Sequence, residues 1–216
     1  MSFSELCNAV RAHIGQDHRY AHTVRVARLA ETLARCHRED PGQARLAGML
    51  HDLARLYSTE RLLQECRERG MSIDPFELEN PIVLHARLGA ELAHELFGVD
   101  DPAVLSAIRK HTLAAPDMSP LDEIVFLADG LEPERDFAER PALVSLAKRN
   151  LSKAMHEVLL SNFRYLASRG QTVSPQTLAA WETYRDVEDP VQAARTSASV
   201  CKPHETHEGD AHCLTS

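Results

Sequence analysis

Side chains able to ligate a metal ion recur along this sequence in the order His22, His51-Asp52, His85, His111 and Asp129. Imidazole nitrogens and carboxylate oxygens are donors that first-row transition metals accept. The His51-Asp52 dipeptide is the sharpest local signal. Met49, Leu50 and Leu53 flank it, which predicts burial, and a buried aspartate is costly unless it is paired or metal-bound. Neighbouring residues on a helix point about 100° apart, so the two can share an ion only beside the backbone or at a helix end. A single histidine is more often an ordinary packed residue than a ligand; the ordered series is the stronger observation. His13, His37, His94 and His156 fall into no such pattern, and His18 lies one turn before His22.

The elements that must position these groups read as helices nearly throughout, in an all-α fold. Gly15 ends a first helix begun near Ser4, and a second runs from Asp17 to about Cys36 with Val26, Leu29, Ala30 and Leu33 at helical spacing. Asp40-Pro41, Asn80-Pro81, Asp101-Pro102, Ser119-Pro120 and Ser174-Pro175 are helix starts, because each places a polar residue before a proline suited to the first turn. Asp122 completes a capping box with Ser119. Ser58 opens a helix that stops at Gly70, residues 70–80 read as a loop containing Pro75, and a long helix covers about Leu151 to Arg169. His22 then lies near the start of its helix, while His51, Asp52, His111 and Asp129 lie near helix ends. A bundle can converge such groups on one point.

The chain has 216 residues, 44% of them apolar, enough for one sizeable core. The expected organisation is one helical domain over 1–186 and a disordered tail over 187–216, where large apolar side chains are scarce. Cys201, His204, His207, His212 and Cys213 in that tail match no zinc module. The five cysteines are odd in number and form no Cys-x-x-Cys pair, which fits reduced thiols in the cytoplasm. Neither a secretory signal nor a membrane-spanning run is expected. A net charge of -8 argues against a nucleic-acid partner. An anionic substrate would need metal ions or placed arginines to reverse the local sign.

The ordered series resembles the HD-domain phosphohydrolases, in the form whose six ligands bind two metals. The flanking segments Arg19-Tyr20-Ala21-His22-Thr23, Leu50-His51-Asp52-Leu53-Ala54-Arg55, His85 with Gly89-Ala90, Ala107-Ile108-Arg109-Lys110-His111-Thr112, and Phe126-Leu127-Ala128-Asp129-Gly130-Leu131-Glu132-Pro133-Glu134-Arg135-Asp136 look like the YqeK-type subfamily. These are bacterial symmetrical diadenosine tetraphosphate hydrolases. The resemblance spans roughly residues 17 to 186. Three features depart from it: Arg55 stands where lysine is usual, Leu113-Ala114-Ala115 follow His111-Thr112 where glycine is frequent, and Glu123 replaces a frequent lysine.

The resemblance implies that His22, His51, Asp52 and Asp129 hold one metal, and that Asp52 bridges to a second held by His85 and His111. Two metals about 3.5–4 Å apart can share a hydroxide and polarise the attacked phosphoryl oxygen; the resemblance marks His51 and Asp52 as the candidate catalytic residues. This donor set suits iron, manganese, cobalt, nickel or zinc, and the resemblance favours iron. Arg55 and Arg135 are the first candidates for holding the polyphosphate, with Arg19, Lys110 and Thr112 behind them. The implied reaction converts one diadenosine tetraphosphate, a small-molecule substrate, into two ADP. The same six ligands would serve an HD enzyme acting on another nucleotide or alarmone. A regulatory module that keeps the fold without turnover is a third reading, disfavoured by the complete ligand set.

Overall fold

Asp40, Asp101, Ser119 and Ser174 each precede a proline. In the computed structural model, which describes residues 2–185, each accepts a hydrogen bond from a backbone N–H of the helix it opens. The elements in order are α1 (Phe3–Ile14), α2 (Asp17–His37), α3 (Pro41–Leu50), α4 (Thr59–Glu68), α5 (Pro75–Glu79), a 3-10 turn (Pro81–Val83) and α6 (Leu84–Phe97). Then come α7 (Pro102–Lys110), α8 (Pro120–Leu131), α9 (Arg140–Ala147), α10 (Leu151–Ser168) and α11 (Pro175–Tyr184). No strand occurs among the described residues, and no helix there is long and apolar enough to cross a membrane. The segment 187–216, read above as a tail, lies outside the described residues, as does residue 186.

Three segments differ from the sequence expectation. Residues 70–80 are not wholly a loop: Asp74 and Glu77 form a capping box, and Pro75 sits in the first turn of α5. Asn80-Pro81 opens a 3-10 turn rather than the long helix, which starts at Leu84. Helix α9 follows Glu139, which makes no side-chain cap, so its start carried no polar signal.

Helix α8 occupies the centre. Every residue from Leu121 to Ala128 is buried, because α2, α3 and α7 pack on part of its surface and α10 on another. A helix covered all round needs no polar stripe. Helices α2 and α3 pack closely through Ala27, Ala30 and Ala34 on one and Ala44, Ala47 and Gly48 on the other, all buried. A Cβ added at Gly48 would stand 2.7 Å from Ala27 Cα and 3.0 Å from its nitrogen, so the helices are as close as glycine allows.

Between α7 and α8 the chain turns through Ala114, whose φ of 58° lies in the left-handed region. A side chain there carries strain that glycine would not. Helix α11 holds the turn in place: Thr177 Oγ1 donates to Leu113 O at 2.9 Å, and the Gln176 amide donates to Ala114 O.

Gly48→Ala is expected to destabilise the fold by about 1–3 kcal/mol, the usual cost of overpacking a rigid contact, because backbone atoms of α2 cannot yield as a side chain would. Gly130→Ala, whose new Cβ would meet Val158 Cγ1 at an ordinary 3.6 Å, should be tolerated. Urea unfolding midpoints of the two variants check the contrast.

Candidate metal centre

The four histidines of the series are each held by Nδ1. His51 Nδ1 lies 2.7 Å from Gly48 O, His111 Nδ1 2.7 Å from Ile108 O, and His85 Nδ1 2.5 Å from Ile82 O. A carbonyl only accepts, so these nitrogens carry the proton, and in the neutral ring Nε2 presents the lone pair. Gly48 and Ile108 lie in the last turns of α3 and α7, where carbonyls lack helix partners. His22 is different: its Nδ1 lies 3.3 Å from Glu132 Oε1. Glu132 is itself buried and accepts from Arg25 Nε at 2.6 Å.

The four Nε2 atoms converge. Those of His22 and His51 are buried without a hydrogen-bond partner, and those of His85 and His111 are 3.2 Å apart. Asp52 lies between the two pairs. Its Oδ2 is 3.6 Å from His22 Nε2 and 3.4 Å from His51 Nε2; its Oδ1 is 3.4 Å from His85 Nε2 and 3.9 Å from His111 Nε2. Asp129 Oδ1 completes one side, 3.2 Å from His22 Nε2 and 3.9 Å from His51 Nε2. Ligand atoms of His22, His51 and Asp129 all fall within 4.8 Å of one another, as do those of His51, Asp52 and His111. All six residues of the series therefore meet at one place.

Electrostatics suit a cation there. Burial, then the neighbouring His51 and His85, lowers the pKa of His111 to about 3, so its imidazole is neutral. Burial opposes ionisation of both aspartates. It is outweighed at Asp52 by His51 and His85, and at Asp129 by His22, His51, His111 and Arg135, leaving both carboxyls well below the usual range. Burial also opposes charge on His51, but Asp52 and Asp129 raise its pKa on balance. Lone pairs and carboxylates gathered in one buried space repel unless a cation lies among them. Two nitrogens 3.2 Å apart can share an ion at the about 2.0–2.1 Å bond length that imidazole takes. The residues present thus fit a metal.

A cavity of about 270 Å³ opens over the cluster, lined by Arg19, Arg55, Arg135 and Thr112 among others. Arg19 pairs with Asp52, and Arg135 pairs with Asp129 Oδ1 at 2.8 Å. Thr112 Oγ1 lies 3.2 Å from His85 Nε2 and 3.1 Å from His111 Nε2. Lys110 is not part of the cavity wall; its ammonium is 3.1 Å from Asp122 Oδ2 and 3.3 Å from Asp117 Oδ1. Two further residues at the site, Glu132 and Asn162, had no role assigned from sequence. Glu132 had a readable signal, a carboxylate one turn beyond Asp129. Asn162, on α10, reaches the cavity wall without any spacing pattern that would mark it.

The model of the HD domain matches residues 19–134, a span that contains all six residues and Glu132. The chain belongs to the HD-domain family. Several relatives match over most of their length. A protein of Halalkalibacterium halodurans named "Bis(5'-nucleosyl)-tetraphosphatase, symmetrical" is 34% identical over 84% of this chain and 96% of its own. One of the same name from Bacillus subtilis is 32% identical over 76% of this chain and 88% of its own. A crystal structure described as a predicted HD superfamily hydrolase involved in NAD metabolism, from Clostridium acetobutylicum, superposes with a TM-score of 0.81 at 30% identity. It covers 86% of this chain and 97% of its own. An HD domain implies divalent metal binding, and the histidine and aspartate groups of this one are disposed so that they could provide it.

A carboxylate behind a metal-binding histidine fixes its tautomer and raises its basicity, and its loss costs about 10–100-fold in metal affinity. Glu132→Gln is expected to weaken metal binding by that factor, read by competition with a chelator. Unchanged affinity would mean that His22 needs no acidic partner.

Proposed function

We propose that this HD domain hydrolyses diadenosine tetraphosphate symmetrically, giving two ADP, with two divalent ions held by His22, His51, Asp52, His85, His111 and Asp129. The observation that carries the two-ion reading is the split of Asp52: Oδ2 faces His22 and His51, while Oδ1 faces His85 and His111. One carboxylate addressing two imidazole pairs is the disposition a bridging ligand needs. The substrate is supported by the symmetrical tetraphosphatases that align with this chain across nearly their full length.

Bound ions supply Lewis acidity toward the attacked phosphoryl group and a water activated at neutral pH. The protein's own residues do the rest. The carbonyls of Gly48, Ile82 and Ile108 keep three Nε2 atoms turned inward. Arg19, Arg55 and Arg135 line the cavity, where guanidinium groups can grip phosphate oxygens in pairs. Arg55 has no ion-pair partner among the described residues and so offers its whole fork. Thr112 places a hydroxyl beside His85 and His111. Lys110, turned to Asp122, is left out of the polyphosphate site. Iron is the first candidate metal, with manganese, cobalt, nickel and zinc suited to the same donors. The cysteines among the described residues, Cys7, Cys36 and Cys66, form no disulfide there and fit the reducing cytoplasm.

Metal analysis of variants tests the ligand assignment. Asp52→Ala is expected to lose most metal from both halves and all measurable turnover, whereas His85→Ala should retain about one ion of the two. Equal retention by both variants would remove the bridging role. Chromatography of products from diadenosine tetraphosphate tests the reaction. ADP alone is expected; AMP with ATP would refute the central cut, and no turnover by metal-loaded protein would refute the substrate.

A further inference from the structure

The cavity over the ligand cluster is flanked by two others. One, of about 430 Å³, shares Asp129, Gly130 and Arg135 with it. The other, of about 320 Å³, shares Ile82, Val83, Thr112 and Phe126. Each flank therefore borders a different half of the cluster. Asp129 lies against His22 and His51, whereas Thr112 lies against His85 and His111. Helix α10 joins the three spaces: Asn162 lines all of them, and Tyr165 lines both outer ones.

The chemistry changes from centre to flank. Three arginines face the central space. The first outer cavity offers Phe137, Leu143 and Val158 beside Asp136 and Ser161. The second offers Phe76, Phe163 and Leu166 beside Asn80 and Gln171. An apolar, aromatic wall with a few polar groups suits a planar base, which stacks on its faces and hydrogen-bonds at its edges. The arginines gather at the centre, and each outer cavity sets apolar side chains beside polar ones, the first with Arg135, Asp129 and Asp136 also in its lining. A cationic space with such a cavity bordering each half of the cluster matches the parts of a molecule with a nucleoside at each end of a polyphosphate.

We propose that the two outer cavities are paired nucleoside sites, one for each end of a dinucleoside polyphosphate, and that Tyr165 serves both. The inference rests on the hydrolase reading of the central site and deepens it. A substrate gripped at both ends presents the middle of its phosphate chain to the ligand cluster. A cut there leaves one ADP in each half, so both products have a place to sit before release.

The test counts ADP rather than turnover. Equilibrium dialysis of ADP against the full chain, with manganese supplied, is expected to saturate at about two ADP per chain, one base stacked in each cavity. Phe137→Ala and Phe163→Ala should each weaken one of the two sites and spare the other. Tyr165 is 58% exposed, so Tyr165→Ala leaves the fold intact. It is expected to weaken both sites about tenfold, the loss typical of one stacking partner, and to raise the KM for diadenosine tetraphosphate accordingly. Saturation at one ADP per chain, or a Tyr165→Ala variant with unchanged ADP affinity, would overturn the paired sites. Two bound ADP in a protein that does not hydrolyse diadenosine tetraphosphate would support the cavities while refuting the hydrolase reading. One bound ADP with normal symmetrical turnover would do the reverse.

Discussion

Everything at the centre of this fold depends on holding mutually repulsive groups together. Four imidazole lone pairs and two ionised carboxylates face one buried space, with the Nε2 atoms of His22 and His51 lacking any hydrogen bond. Left alone, such a cluster would relax by turning rings outward. It does not, because each ring is held from behind. Three Nδ1 atoms are held by main-chain carbonyls three residues earlier, and the fourth by Glu132. The backbone carbonyls at the ends of α3 and α7 would be orphans in an ordinary helix; here they anchor His51 and His111. The site is thus built from helix ends as much as from side chains.

That construction explains why small residues matter away from the chemistry. His51 is fixed to Gly48 O, and Gly48 is the residue pressed against Ala27 on α2. The contact that sets the α2–α3 distance is therefore one turn from His51. His22, on α2, and His51 approach with ring centroids 5.4 Å apart, a separation that follows from the same helix spacing. Gly89 repeats the theme on α6, where an added Cβ would meet His51 O at 3.2 Å. Helix α2 thus presses on Gly48 and helix α6 on the His51 backbone itself.

Much of this was legible in the sequence, and the limits have physical causes. The six candidate ligands could be read because few residue types offer such donors, and because proline and capping residues mark where their helices begin. The helical class followed from periodicity. What could not be read were contacts without a residue-type signature. A carbonyl that orients a histidine belongs to any residue, so Gly48, Ile82 and Ile108 were invisible as anchors. Helix α9 begins without a capping side chain, and Asn162 reaches the cavity from an element far along the chain. Lys110 shows the converse: its sequence position beside His111 suggested phosphate, but its ammonium turns to Asp122 and Asp117. Glu123, one of the departures from the family pattern, faces inward toward Ser152 and Tyr184. Burial raises its pKa, partly offset by those two hydroxyls, so it bears on the packing of α8, α10 and α11 and does not line the central cavity.

The charge of the whole chain and the charge of the cavity point in opposite directions, and the second governs substrate binding. The protein carries a net -8, yet the central cavity sets three arginines against two aspartates, beside His85 and a neutral His111. The arginines outnumber the aspartates by one, and any divalent ion held by the cluster adds to the positive side. Beyond about 8–10 Å, distant surface charges are screened by physiological salt, while groups in a partly enclosed space are screened much less. A polyphosphate therefore responds to the arginines and the ligand cluster rather than to the acidic exterior.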